Sequence, residues 1–329
     1  MRKKLTALGI LFSMAVLLCG CAKKEGASEK LTEITMVLDW TPNTNHTGLY
    51  VAQEKGYFEE AGLKVSIVQP PNDGASDLVA SGGAQFGIGF QDTLAAAFSS
   101  DSPLPVTAVA AVLQHNTSGL ISLKNTGIDS PKKLEGHSYA TWDSPIEQGI
   151  MKSVIQKDGG DFGRVQLIST YVEDIVAALA SDIDSVWIYY GWDGIKCKQV
   201  GLDTNYIAFR DMDETFDYYS PVIIGNNEYM KENPDTVKAF LGAVKKGYED
   251  AAGDYKEAAE ILCKYAPELD EALVLDSQEY LSGQYIADAE SFGVIDGARW
   301  NRFYNWLNDN NLVVNEIPEN TGFTNEYLE

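Results

Sequence analysis

The chain alternates between short β-rich runs and helical stretches, and it does so twice. Residues 34–38, 64–68, 86–89 and 106–112 read as strands, with helical stretches at 47–60, at 75–81 and after residue 89 through Ala97. The pattern then restarts. Residues 120–123, 138–141, 165–169, 185–190 and 206–209 read as strands, with helices at 145–157 and 175–180. Residues 221–224 form the last clear strand, and from Pro234 the chain reads as helical almost to Asn308. Alternation of this kind specifies a mainly parallel sheet covered by helices. Two rounds, a restart near residue 120 and a single returning strand specify an α/β protein with two doubly wound sheets, two crossings and a hinged cleft. The expected organisation is a leader at 1–20, a tether at 21–32, one lobe from 33–118 and 222–329, and a second lobe from 119–221. Ligands in open α/β sheets sit beyond the carboxyl ends of strands, so chemistry is sought at the strand ends.

The N-terminus constrains location. Arg2, Lys3 and Lys4 precede an apolar run, residues 5–18, that is too short to span a bilayer as a stable helix. It closes with Leu18-Cys19-Gly20-Cys21, which resembles the lipobox of bacterial lipoproteins, with Cys21 as the acylated residue. An ordinary cleaved signal with an incidental Cys is the alternative. The expected place is therefore the extracytoplasmic face of the cell membrane, held by lipid alone. The formal charge of −23 becomes more negative once the three leader cations are removed. Such a surface repels phosphate backbones and anionic lipid, so nucleic acid is excluded as a partner. Cys197 and Cys263 are expected to be free and buried, with a disulfide between them as the alternative. The three His, at 46, 115 and 137, lack metal-ligand spacing, and there is no nucleophile elbow or phosphate loop. No metal, no cofactor and no catalytic set is expected.

The strand ends carry the candidate ligand-binding residues. Asp39 and Trp40 close the first strand, and Asn45 and His46 open the helix that follows. Trp40 offers a face for a flat ring, and Asn and His both donate and accept. Capping by Thr44 or Asn45 is the competing role. Gln91 follows the third strand beside Asp92, which is read as an N-cap. Ser118 lies in His115-Asn116-Thr117-Ser118, at the presumed first crossing. Trp142 and Glu147 flank the start of the helix at 145–157; there Ser144, Pro145 and Glu147 also spell a capping box. Tyr189, Tyr190 and Trp192 crowd one strand end in "VWIYYGWD" and are available to clamp a ring.

Several of these motifs carry a family likeness. "LDWTPNTNHTGLYVAQEKGYFEEAGL", "GGAQFGIGFQDTLAAA", "YATWDSPIE", "VWIYYGWDGI" and "YYSPVIIGNNEYMKENP" resemble bacterial ABC-importer proteins that bind the pyrimidine half of thiamine. The likeness runs from Ile34 to the C-terminus. It implies a two-lobed type II periplasmic-binding-protein fold and a monomer. Such a binder closes on N-formyl-aminomethyl or hydroxymethyl aminopyrimidine and delivers it to a permease and its ATPase. Riboflavin, nitrate, sulfonate and taurine binders share the outline and stand as alternatives. The same superfamily holds a fungal enzyme that builds this pyrimidine from its own His and pyridoxal phosphate. The segment matching that enzyme's reactive Lys and His reads "GIGFQDTL" here, residues 87–94, with neither residue. A binder rather than an enzyme is therefore expected.

Overall fold

The computed structural model describes residues 30–72 and 74–328. The leader, Cys21 and most of the tether lie outside the described residues, and the lipidation expected at Cys21 falls there. Ten strands are present: β1 (Thr32–Val37), β2 (Leu63–Val68), β3 (Phe86–Gly89), β4 (Val106–Ala111), β5 (Ser118–Leu123), β6 (Ser138–Thr141), β7 (Gln166–Ser169), β8 (Ser185–Tyr189), β9 (Thr204–Ala208) and β10 (Val222–Asn226). They form two five-stranded sheets, ordered β2-β1-β3-β10-β4 and β7-β6-β8-β5-β9.

Each sheet contains one strand that runs against its neighbours. In the first it is β10, antiparallel to β3 and β4; in the second it is β5, antiparallel to β8 and β9. Both are strands that have just crossed from the other sheet. The crossings bring Ser118 opposite Tyr189 and Val222 opposite Gly89. The start of each crossing strand therefore lies beside the carboxyl end of a parallel one. β3 and β10 are buried along their whole length, as expected for strands covered on both faces.

The two crossings are strapped to each other. Asn116 donates its side-chain N–H to Phe216 O at 2.8 Å, and its backbone N–H to Asp217 Oδ1 at 2.9 Å. His115 Nδ1 lies 2.7 Å from Asp217 Oδ2, and Nε2 lies 3.0 Å from Asp288 Oδ1. The bond to Asp217 raises the His115 pKa against the opposing effect of burial. Burial opposes the Asp217 charge, but His115 and the Asn116 N–H outweigh it and hold that carboxyl below its usual range. A raised His pKa gives stability that is complete below the unfolded value, about 6.5, and is lost as pH rises through the folded value. The depressed Asp217 gives stability that disappears on acidification through its folded value. His115→Gln should therefore lower the melting temperature by several degrees at pH 6, and the gap from wild type should narrow by pH 9. A gap that is flat across this range would show that the imidazolium is not the stabilising species.

The long C-terminal helical stretch is broken into helices Pro234–Gly253, Tyr255–Tyr265, Glu271–Ser282 and Gly297–Asp309. An Asp starts each of the last three: Asp254, Asp270 and Asp296 accept first-turn backbone N–H groups. These helices lean on both sheets. Trp300, Phe303, Tyr304 and Leu307 share one core with Val37 and Leu94 of the first sheet's side, and with Leu120, Tyr139 and Trp187 of the second. Ser277 bonds Thr44 Oγ1 at 2.6 Å and donates to Gly191 O, linking a turn after β1 to the turn after β8. Among the described residues no helix is long and apolar enough to cross a membrane.

Candidate functional site

The turn after β1 is built around Asn43. Its extended backbone and side-chain oxygen cap the 3₁₀ turn Thr44–His46, the side chain accepting from Asn45 N–H at 2.9 Å. The cap is thus Asn43 rather than Thr44 or Asn45. His46 completes the box: its Nδ1 accepts the Asn43 backbone N–H at 3.2 Å. A ring that accepts at Nδ1 is neutral and carries its proton on Nε2, which lies 2.7 Å from Asp39 Oδ1. His46 is fully buried, so it orients Asp39 and has no free atom for a ligand. Asp39 keeps its second oxygen available. Trp40 is 44% exposed, an unusually open position for an indole next to a buried strand. The Asn45 side-chain amide has no partner among the described residues, while its carbonyl accepts from Tyr248 OH at 2.7 Å.

The end of β3 supplies Phe90, Gln91 and Asp92. Gln91 is fully buried, with its amide used at both ends: it donates to Trp300 O at 2.9 Å and accepts from Tyr219 N–H at 2.9 Å. The cleft-facing amide expected there is not what the fold builds; Gln91 ties the helix it begins to the C-terminal helix. Asp92 is not the N-cap either. Phe90 holds that position, and Asp92 sits in the first turn of helix Gln91–Ser99.

The second sheet supplies Ser118 and Tyr189, paired across β5 and β8. The Tyr189 ring stacks near Phe90 of the first sheet, with centroids 6.1 Å apart and planes 28° from parallel. Its hydroxyl is 3.5 Å from Ser220 Oγ on the second crossing. Burial raises the Tyr189 pKa, and the charges of Asp92 and Asp39 raise it further. Tyr189 of one sheet thus stands within the field of two carboxylates from the other. Tyr190 turns away and packs between Tyr206 and Tyr280, at 4.7 and 5.2 Å. Trp192 is partly buried against the core of the first sheet.

Trp142 and Glu147 part company. Trp142 is 47% exposed and meets Trp187 edge-on at 5.3 Å. Glu147 is buried and accepts from Tyr139 OH at 2.6 Å and Thr141 Oγ1 at 2.8 Å. Burial raises its pKa while those hydroxyls and the Ser144 and Trp142 backbone N–H groups oppose. Glu147 thus reaches back to the cap as half of a capping box; the Ser144 side chain makes no cap bond. Both carboxylate oxygens are occupied within the second lobe, and Glu147 presents nothing to the cleft.

Two residues emerge that the sequence did not single out for binding. Tyr218, on the second crossing, is fully buried and stacks on Phe303 at 4.1 Å. Its hydroxyl has no hydrogen bond of good geometry, nor do Ser118 Oγ and Asp92 Oδ1. Burial pushes the Asp92 carboxyl up to about 6, against its own N–H, the Thr93 N–H and the nearby Tyr218 hydroxyl. The site therefore combines an open indole, a stacked phenol, two carboxylates and two neighbouring hydroxyls. No Lys or Arg forms an ion pair with Asp39 or Asp92 among the described residues. Cys197 is a buried free thiol, and Cys263 is a half-buried one. A surface depression of about 810 Å³, lined by Asn301, Arg302, Trp306 and Glu319 among others, lies apart from these residues.

Two five-stranded sheets exchanging single strands, with polar and aromatic side chains gathered at their facing ends, define a two-lobed ligand-binding protein of the type II periplasmic-binding fold. The alkanesulfonate-binding protein of Xanthomonas axonopodis pv. citri shares this fold with a TM-score of 0.68. The match covers 90% of this chain and 99% of that one at 11% identity. The chain belongs to the NMT1/THI5-like family, whose model matches residues 43–258. It is 30% identical over 322 residues to a formylaminopyrimidine-binding protein of Halalkalibacterium halodurans, covering 94% of this chain and 96% of the relative. A 4-amino-5-hydroxymethyl-2-methylpyrimidine phosphate synthase of Saccharomyces cerevisiae is 27% identical over 269 residues, covering 73% of each. These similarities support a binding role.

Proposed function

We propose that this chain is the extracytoplasmic substrate-binding component of an ABC importer for an aminopyrimidine precursor of thiamine. On this reading Cys21 anchors it by lipid, it works as a monomer, and it hands its ligand to a permease driven by an ATPase. The lobes are 33–118 with 222–329 and 119–221, and the strapped crossings form the hinge. One observation carries the reading: Tyr189 of the second sheet lies beside Phe90 and in the field of Asp39 and Asp92 of the first. A flat heteroaromatic amine suits that combination of ring faces and acceptors. Trp40 and Tyr189 contact the ring, Asp39 accepts from its exocyclic amine, and Asn45 and Ser118 complete its polar edge. His46 acts through Asp39, Trp142 lies at the rim, and Gln91, Glu147, Tyr190 and Trp192 support the lobes.

Charge favours this ligand class over nitrate, sulfonate or taurine, since an anionic group would face two carboxylates without a paired cation. The synthase reading is disfavoured by residues 87–94, which lack the Lys and His of the fungal enzyme. Mass spectrometry of small molecules released from the purified, unfolded protein tests the proposal. An aminopyrimidine is expected. Release of a flavin or a sulfonate would replace it, and formation of new pyrimidine from pyridoxal phosphate and iron would make the chain an enzyme.

A further inference from the structure

Helix Glu271–Ser282 touches both halves of the proposed cleft. Ser277, Tyr280, Leu281 and Gln284 are spaced three and four residues apart, so they line one side of the helix and the turn that ends it. Each meets the stretch of chain that follows β8 in the second sheet. Ser277 Oγ donates to Gly191 O. The Tyr280 ring lies 5.2 Å from Tyr190, with planes 60° apart. Leu281 closes on Gly191, where an added Cβ would lie 2.9 Å from Leu281 Cδ2. Gln284 Oε1 accepts from Arg210 Nη1 at 3.5 Å. At the exposed margin Gln199 donates to Asp276 Oδ2 at 2.7 Å.

The same helix is tied to the first sheet. Val274 and Leu281 share a core with Ile34 and Met36 of β1. Ser277 has one proton, and it goes to Gly191 O, so the Thr44 hydroxyl donates to Ser277 at 2.6 Å. A buried relay therefore runs from Thr44 through Ser277 to Gly191. Tyr285 OH donates to Thr44 O at 2.6 Å and Tyr248 OH to Asn45 O at 2.7 Å. The turn that follows Trp40 is thus fixed to the C-terminal helices, and Gly191 O is where the turn that follows Tyr189 joins it.

We propose that this helix face is a closure latch and that Ser277 is its positioning residue. It sets the Trp40 turn of one lobe against the Tyr189 turn of the other, and it slows ligand release without touching the ligand. The proposal rests on the two-lobed aminopyrimidine reading of the site. Rotation of the lobes about the strapped crossings would draw Gly191 from Ser277, Tyr190 from Tyr280 and Gln199 from Asp276. A contact completed on closure acts on departure more than on entry, and affinity differences among variants of one interface lie mostly in the release rate. Without the Ser277 hydroxyl, the Gly191 carbonyl and the Thr44 hydroxyl stay buried and lose their partner, which costs more than the bond itself contributes.

Stopped-flow tryptophan fluorescence with 4-amino-5-hydroxymethyl-2-methylpyrimidine measures both rates. Ser277→Ala should speed release about tenfold, equivalent to about 1.4 kcal/mol, and leave association within about threefold. Gly191→Ala should act in the same direction by wedging Leu281 away. A merely structural Ser277 would lower the melting midpoint while the folded variant released the probe within about twofold of wild type, and that result overturns the proposal. Should both buried variants fail to fold, Gln199→Ala tests the exposed margin of the same face; release about threefold faster is expected, and an unchanged rate overturns the latch. Hydrogen exchange of the ligand-free protein separates the latch from the ligand reading. The amides of Asn45, His46 and residues 191–194 should exchange about tenfold faster in Ser277→Ala, because the lobes part more often. If the wild type does not bind the probe, the aminopyrimidine reading falls and the latch is decided by this exchange, with protection equal to wild type overturning it.

Discussion

Trp40→Ala should weaken aminopyrimidine binding by about one to two decades, and Tyr189→Ala should do the same. Stacking of a base-like ring on an aromatic side chain contributes roughly 1–3 kcal/mol by truncation, and every 1.4 kcal/mol is about tenfold in affinity. Trp40 belongs to the first lobe and stands 44% exposed at the end of β1. Tyr189 ends β8 in the second, with its ring beside Phe90. A ring held by both draws a face from each lobe, so ligand and closure reinforce one another. The two substitutions should therefore couple in a double-mutant cycle, the double variant losing less than the sum of the singles. Calorimetric titration of the folded variants measures this. If Trp40→Ala binds within twofold of wild type, the indole is a surface aromatic and the turn after β1 is only a capped connection.

The strands were legible because β-branched and aromatic runs were punctuated by Gly, Pro and Asp and alternated with helical stretches. The exchange of β5 and β10 between sheets was legible from the restart near residue 120 and the single strand after 220. The sequence reads as continuous helix across Asp254, Asp270 and Asp296, although each is an N-cap residue. Helical patterning on both sides masked them, since an Asp inside a periodic stretch also reads as an exposed face. At the site, Asp39 and Trp40 stood out because a strand ended on them. Asn43 and His46 form a reciprocal cap whose partners are three residues apart, a spacing that single-residue capping preference does not reveal. Asp92 was read as a cap from its place at a helix start. One position of offset, with Phe90 as the true cap, puts the carboxylate in the first turn, where burial raises its pKa against the bonds from its own N–H and the Thr93 N–H. Tyr218 lies in an irregular crossing, where no period says which way a side chain points. Gln91 and Glu147 look alike in sequence as polar groups at helix starts. Only the fold shows that both are consumed by internal partners.

The largest loss of stability should come from Trp300→Ala, far along the chain from the motifs that suggest function. Trp300 is fully buried and donates its indole N–H to Thr321 O at 2.9 Å. Its ring lies 5.4 Å from both Tyr304 and Phe323, and its carbonyl accepts the Gln91 amide. Truncation would open a gap among these rings and leave the Thr321 carbonyl without its donor. Removing a buried Trp costs about 3–5 kcal/mol. At roughly 2–4 °C per kcal/mol for domains of 150–250 residues, the midpoint of thermal unfolding should fall by on the order of 10 °C. The effect reaches the site through Gln91, which fixes the Tyr219 backbone N–H next to Tyr218 and starts the helix that carries Asp92. Ligand affinity in Trp300→Ala should therefore fall as well, measured well below the new midpoint. A midpoint within about 2 °C of wild type would mean that the core shared by the two sheets does not depend on this indole, and that the C-terminal helix is a covering rather than a brace.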